Sequence, residues 1–115
     1  MDALDDIYAR YETIFHLENI QELLDWDQQV MMPAAAAAQR GEQTAALARQ
    51  IHHALADPAL RDLLDEAESR GDLPAVVRAD LRVLRRRHAR ASRITVELAA
   101  RHARLTAVAQ GTWEN

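Results

Sequence analysis

The stretch Ile7-Tyr8-Ala9-Arg10-Tyr11-Glu12-Thr13-Ile14-Phe15-His16-Leu17-Glu18-Asn19-Ile20-Gln21-Glu22-Leu23-Leu24 sets the period of the whole chain. Ile7, Tyr11, Ile14, Leu17, Ile20 and Leu24 recur at spacings of three and four, which places them on one apolar stripe of a helix. Asp5 and Asp6 stand just ahead of it, where negative charge favours the positive end of a helix. The helix is expected to run to about Trp26. Pro33 forces Met32 out of helical geometry, so Gln28 to Pro33 is expected to be a connection.

The same period returns four more times. Ala34 to Ala56 is expected to form a second helix burying Thr44, Leu47, Ala48, Ile51 and Leu55, at a cost of about 1 kcal/mol for Gly41 relative to Ala. Asp57-Pro58 is a start signal, a carboxylate cap followed by a first-turn proline. Leu60, Leu63, Leu64 and Ala67 make the third stripe, and Gly71 is expected to close it in left-handed geometry. Asp72 and Pro74 open a fourth helix with Val77, Leu81, Leu84, His88 and Ala91 inward. Either Ser92 or Thr95 would cap a fifth, whose stripe is Leu98, His102, Leu105, Ala109 and Trp113.

Composition agrees with this all-α reading. The 115 residues are 49% hydrophobic but only 4% aromatic, with three glycines and three prolines. That is too little turn chemistry for an all-β protein, and Ala-rich segments lose little entropy on entering a helix. The length suits one unit, residues 1–115, of four to five packed helices. A net charge of −4 argues against a general nucleic-acid binder, which carries a basic surface. All fourteen cations are arginine, which reads as coding bias more than chemistry. With no cysteine there are no disulfides, thiolate nucleophiles or Cys-type zinc sites. No apolar run approaches the roughly 20 residues that span a bilayer, and the acidic start is unlike a secretion signal. A soluble, cytoplasmic protein without membrane contact is expected.

No catalytic or metal-ligating set emerges. The pentad H-E-x-x-H, which puts two imidazoles on one helical face with a glutamate base between them, does not occur. His52 and His53 are adjacent and diverge by about 100° on a helix. Glu12 and His16 are one turn apart, which suits a simple ion pair. His88 and His102 lie on apolar stripes and are expected in the core or at an interface. Ser69 and Ser92 lack the elbow of a nucleophile, and isolated Gly71 makes no phosphate loop.

Two constellations stand out. Leu23-Leu24-Asp25-Trp26-Asp27-Gln28-Gln29-Val30-Met31-Met32-Pro33 sets Trp between carboxylates at a helix end. Burial of Trp26 is expected to anchor this corner, with a direct substrate contact as the alternative reading. Asp25 and Asp27 oppose the macrodipole there, with Arg40 as the candidate partner. The second is a ridge of Arg78, Arg82, Arg86 and Arg90, one turn apart, within a denser set that adds Arg85, Arg87 and Arg93. It is expected to be a surface or interface stripe paired with Asp62, Asp65, Glu66 and Glu68, with phosphate binding as the sharper alternative.

The string Asp25-Trp26-Asp27-Gln28, Met32-Pro33, Arg40-Gly41-Glu42-Gln43 resembles the start of the carboxypeptidase Taq family of H-E-x-x-H zinc metallocarboxypeptidases. The similarity continues through Leu47, Ala48, His52, Asp57-Pro58, Leu63-Leu64, the arginine-rich helix and the Ala-rich last helix to Trp113. Gln29 and Val30 stand where the family tends to have Glu and Thr, and Thr95 where a proline often begins the last helix. The resemblance implies a helical fold with a deep groove, zinc in the complete enzyme, peptide substrates and a homodimer. The family's zinc ligands and substrate-binding residues lie beyond the equivalent of Asn115, so none carries onto this sequence and no cofactor is expected in it. The implied role is an N-terminal, groove-covering segment, inactive alone, whose partner is the remaining peptidase chain or a second copy of itself. A self-standing interaction module degenerate from the family, and an arginine-ridge nucleic-acid binder, remain the alternatives.

Overall fold

The computed structural model describes residues 2–30 and 33–114. Five α-helices lie among them: α1 (Ala3–Val30), α2 (Ala37–Ala56), α3 (Pro58–Glu68), α4 (Ala75–Ser92) and α5 (Val96–Glu114), with one 3-10 turn, Ala34–Ala36, leading into α2. No strand occurs among the described residues. The all-α architecture is as expected.

Local chemistry explains most of the ends. Asp2 caps α1, its Oδ1 accepting from the Asp5 amide at 2.9 Å. Asp57 caps α3 by accepting from the Ala59 amide at 2.9 Å, with Pro58 in the first turn. Of the two hydroxyls that could start α5, Thr95 does so, accepting from the Leu98 amide at 3.1 Å. Ser92 instead donates back to the His88 carbonyl within α4.

Three local expectations need correction. First, α1 continues to Val30, well past Trp26. The restriction from Pro33 reaches only its neighbour. Gln28, far from being in a connection, is 1% exposed and donates its amide to the Ala107 carbonyl of α5. Second, Gly71 is not a left-handed cap, since no described glycine has positive φ. The α3 terminus closes on Ser69, whose hydroxyl donates to the Glu66 carbonyl and whose backbone stays right-handed. Third, Asp72 caps nothing, because its two carboxylate oxygens accept from Arg70 at 3.2 Å.

The helices pack as two unlike halves. In the first, Ile7, Tyr11 and Ile14 of α1 meet Leu60, Leu64 and Ala67 of α3 and Leu81 of α4, with Leu73 closing the end. Burial of such side chains contributes about 1.5–3 kcal/mol each. In the second, α2 and α5 run antiparallel. Gly41 opposes Val108, Thr44 donates to the Ala103 carbonyl at 3.3 Å, and Arg49 pairs with Glu97. Their contact is lined by Ala45, Ala48, Ala100 and Ala107, all buried. Here the expected α5 stripe is wrong. Leu98 and Leu105 point out to solvent, because the close approach of α2 leaves room only for alanines.

The two halves sit end to end along the 28-residue α1. The Cα radius of gyration is 17.0 Å, against about 13 Å for a compact chain of this size. The extents are 56 × 24 × 21 Å. The α1 stripe therefore works only over its first half. Toward its end α1 meets α2 and α5 instead, and Ile20 is exposed.

Candidate functional site

The corner is built by α1 and the start of α2. Arg40 reaches back from α2, donating to Asp27 at 2.7 Å and to the Leu24 carbonyl at 3.4 Å. A partly buried guanidinium thus neutralises one of the two acids and covers a carbonyl near the negative end of α1, which has no basic residue in its own last turn. Asp25 is exposed and makes no ion pair among the described residues. Trp26 departs from expectation. It is 58% exposed, so the corner is held by Arg40 and Gln28 and not by the indole. Pro33 is exposed, and Met32 lies outside the described residues, as does the side chain of Trp113.

Trp26 is not alone. Phe15 and Leu23 share its side of α1 and are 59% and 64% exposed. On an ideal helix these three fall within about 80° of one another, flanking the stripe of Ile7, Tyr11 and Ile14. These are large apolar side chains left to solvent on one helix.

The arginines of α4 divide into two sets. Arg85 pairs with Asp65 at 2.6 Å and Glu68 at 2.8 Å, which pulls its guanidinium further above its usual range. Arg87 pairs with Glu18 at 2.7 Å and lies over the Tyr11 ring. Arg78, Arg82, Arg86 and Arg90 are exposed and have no carboxylate within 4.0 Å among the described residues. The expected pairing of this ridge with α3 is thus made by Arg85 instead, one position off the ridge and facing α3.

The histidines also separate. His88 is buried, with Nδ1–H donating to the Leu55 carbonyl at 2.7 Å. His102 is exposed, contrary to its place on the expected stripe. His52 donates through Nε2 to the Ala91 carbonyl at 2.9 Å and to the Ile94 carbonyl, closing the end of α4. His16 lies 3.8 Å from Glu12, both exposed. Among the described residues no group of three His, Asp or Glu side chains is placed to share an ion. The donor set therefore does not fit a catalytic zinc, which needs three protein ligands.

Sequence reasoning missed a cleft of about 690 Å³ where α2, α4 and α5 converge beside Gln21 of α1. Its walls are Ala48, Ile51 and Leu55 of α2, Ala91 of α4 and Leu98 of α5, with Arg90 and His102 on opposite helices. The adjacent alanines of α2 and α5 were the available signal, since small residues bring helices close and leave neighbouring space unfilled.

Fold and corner together define the class: an all-α chain whose two helical halves are joined along one long helix that leaves large apolar side chains to solvent. The chain belongs to the carboxypeptidase Taq (M32) metallopeptidase family, whose model matches residues 6–115. It is also similar to thermostable carboxypeptidase 1 of Thermus thermophilus, at 30% identity over 102 residues. That match covers 86% of this chain and 20% of the relative, so the chain spans about a fifth of the length of the curated protein it matches. No solved structure matches the chain.

Proposed function

We propose that the chain acts as the N-terminal helical segment of a metallocarboxypeptidase that removes C-terminal residues from peptides in the cytoplasm. It forms a wall or cover of the substrate groove and supplies no catalytic group. The observation that carries this reading is the exposure of Phe15, Leu23 and Trp26 along α1. Such exposure suits a partner layer, either the remaining peptidase chain or a second copy of this one. Family membership supplies the reaction class, and the 20% coverage of the relative supports a segment in place of a whole enzyme.

In the complete enzyme a zinc-bound water with a glutamate base would cleave the terminal peptide bond. The metal would be held by residues outside this chain, since no three donors among the described residues are placed to share an ion. The test is direct. The 115-residue chain is expected to release no C-terminal amino acid from a blocked dipeptide and to retain no stoichiometric zinc after dialysis. Turnover that disappears with a chelator would overturn the reading.

The solvent-facing arginine ridge keeps one other reading in view, the binding of nucleic acid through phosphates. The net charge of −4 disfavours it, and the ridge is better taken as part of an interface.

A further inference from the structure

The cleft between α2, α4 and α5 has an unusual charge pattern for so acidic a chain. Its lining includes Arg87, Arg90, His52 and His102 but no Asp or Glu, although the chain carries 18 acids against 14 arginines. Arg87 is committed to Glu18, and His52 spends its N–H on the end of α4. Arg90 is different. It is the last member of the unpaired ridge, faces solvent, and borders the cleft, as His102 of α5 does. Below them the surface is hydrocarbon, made by Ile51, Leu55, Ile94 and Leu98. The volume of about 690 Å³ falls within the range of small-molecule sites, roughly 300–1,000 Å³.

We propose that this cleft binds a small carboxylate with a hydrocarbon tail, its headgroup held by Arg90 and His102 and its tail laid on Ile51, Leu55, Ile94 and Leu98. Charge complementarity selects the anion, since a guanidinium takes a carboxylate with two parallel hydrogen bonds. The walls select the tail. Of the lining residues all but Ile94 lie within helices, whose backbone amides are already spent on helical bonds. A peptide laid here would find almost no main-chain partners, and burying its amides unpaired is costly. A plain hydrocarbon chain has no such requirement. The remaining ridge arginines, Arg78, Arg82 and Arg86, draw anions toward α4 without touching the ligand.

The test is calorimetric titration of the 115-residue chain with decanoate below its micellisation concentration, beside decanol and the free acid N-acetyl-leucine. Saturable one-to-one binding of decanoate is expected, at least ten-fold tighter than either comparison compound. Arg90→Gln should weaken decanoate at least five-fold, and Leu98→Glu, at an exposed position on the wall, should abolish binding while the circular-dichroism spectrum is unchanged. Arg82→Gln, on the ridge but outside the cleft, should leave the affinity as it was. Equal binding of decanol, tighter binding of N-acetyl-leucine, or indifference to Arg90→Gln would overturn the proposal. So would a decanoate-insensitive dimer that Leu98→Glu dissociates, because the occupant would then be a second copy of the chain. None of these outcomes depends on peptidase activity, so failure here leaves the proposed segment role standing.

Discussion

Gly41 sits where two effects oppose each other. Alanine there would improve helix propensity by about 1 kcal/mol. Its Cβ, however, would lie 3.0 Å from Val108 Cγ2 and 3.3 Å from the Arg104 carbonyl. Backbone cannot yield as a flexible side chain does, and overpacking of this kind costs about 1–3 kcal/mol. Gly41→Ala is therefore expected to destabilise by about 1 kcal/mol net, read as a lower midpoint in urea. An unchanged or higher midpoint would mean α5 moves away freely. Tyr11 offers a second, pH-linked case. Burial pushes its phenol above the ordinary value, with Arg87 pulling weakly the other way, and the hydroxyl donates to the Leu84 carbonyl at 3.0 Å. A raised phenol keeps its full contribution below the unfolded value of 10.0 and loses it as pH climbs through the folded value. Melting temperature is thus expected to fall steeply above about pH 10, where unfolded tyrosine ionises. Tyr11→Phe should flatten that fall while costing about 1 kcal/mol at neutral pH.

Among the helices, α3 is the one whose limits owe most to a single side chain. Asp57 caps it and also accepts from Arg10 of α1 at 3.2 Å, so one carboxylate starts a helix and ties it to its neighbour. Replacing a capping Asp by Ala costs about 1 kcal/mol. Asp57→Ala is expected to lose that much, with Arg10→Ala losing less because ion pairs between half-exposed side chains contribute little. Equal losses in chemical denaturation would shift the credit from the cap to the ion pair. The ends of α1 and α5 behave differently. Helix α1 continues past its expected end, and Leu23 of α1 and Leu98 and Leu105 of α5 are exposed. Gln28 on the Ala107 carbonyl, with Arg40 on Asp27 and the Leu24 carbonyl, holds the last turns of α1.

For the molecule as a whole, shape and surface make one prediction. An object of 56 × 24 × 21 Å, with Phe15, Leu23 and Trp26 exposed along its longest helix, is expected to self-associate at micromolar concentration. Sedimentation velocity should show a concentration-dependent species, and Leu23→Ser with Trp26→Ser should restore a monomer of elongated frictional ratio. A wild-type chain that stays monomeric would favour the self-standing interaction module over a layer awaiting its mate.

How much of this was legible beforehand follows the distance over which each cause acts. Helix identity, the Asp57-Pro58 start, the inner faces of α3 and α4, and the family string from Asp25 to Gln43 depend on residues within a few turns, and periodicity and capping reveal them. The exposure of Trp26, the alanine face of α5, the passage of α1 through Gln28 and the transfer of ion pairing from the ridge to Arg85 depend on which helix lies opposite. Several mates are compatible with one amphipathic pattern, and only packing chooses among them. The cleft with its cationic rim belongs to that second group. It exists because glycine and alanines draw α2 against α5, leaving a space beside α4 that Arg90 and His102 both line.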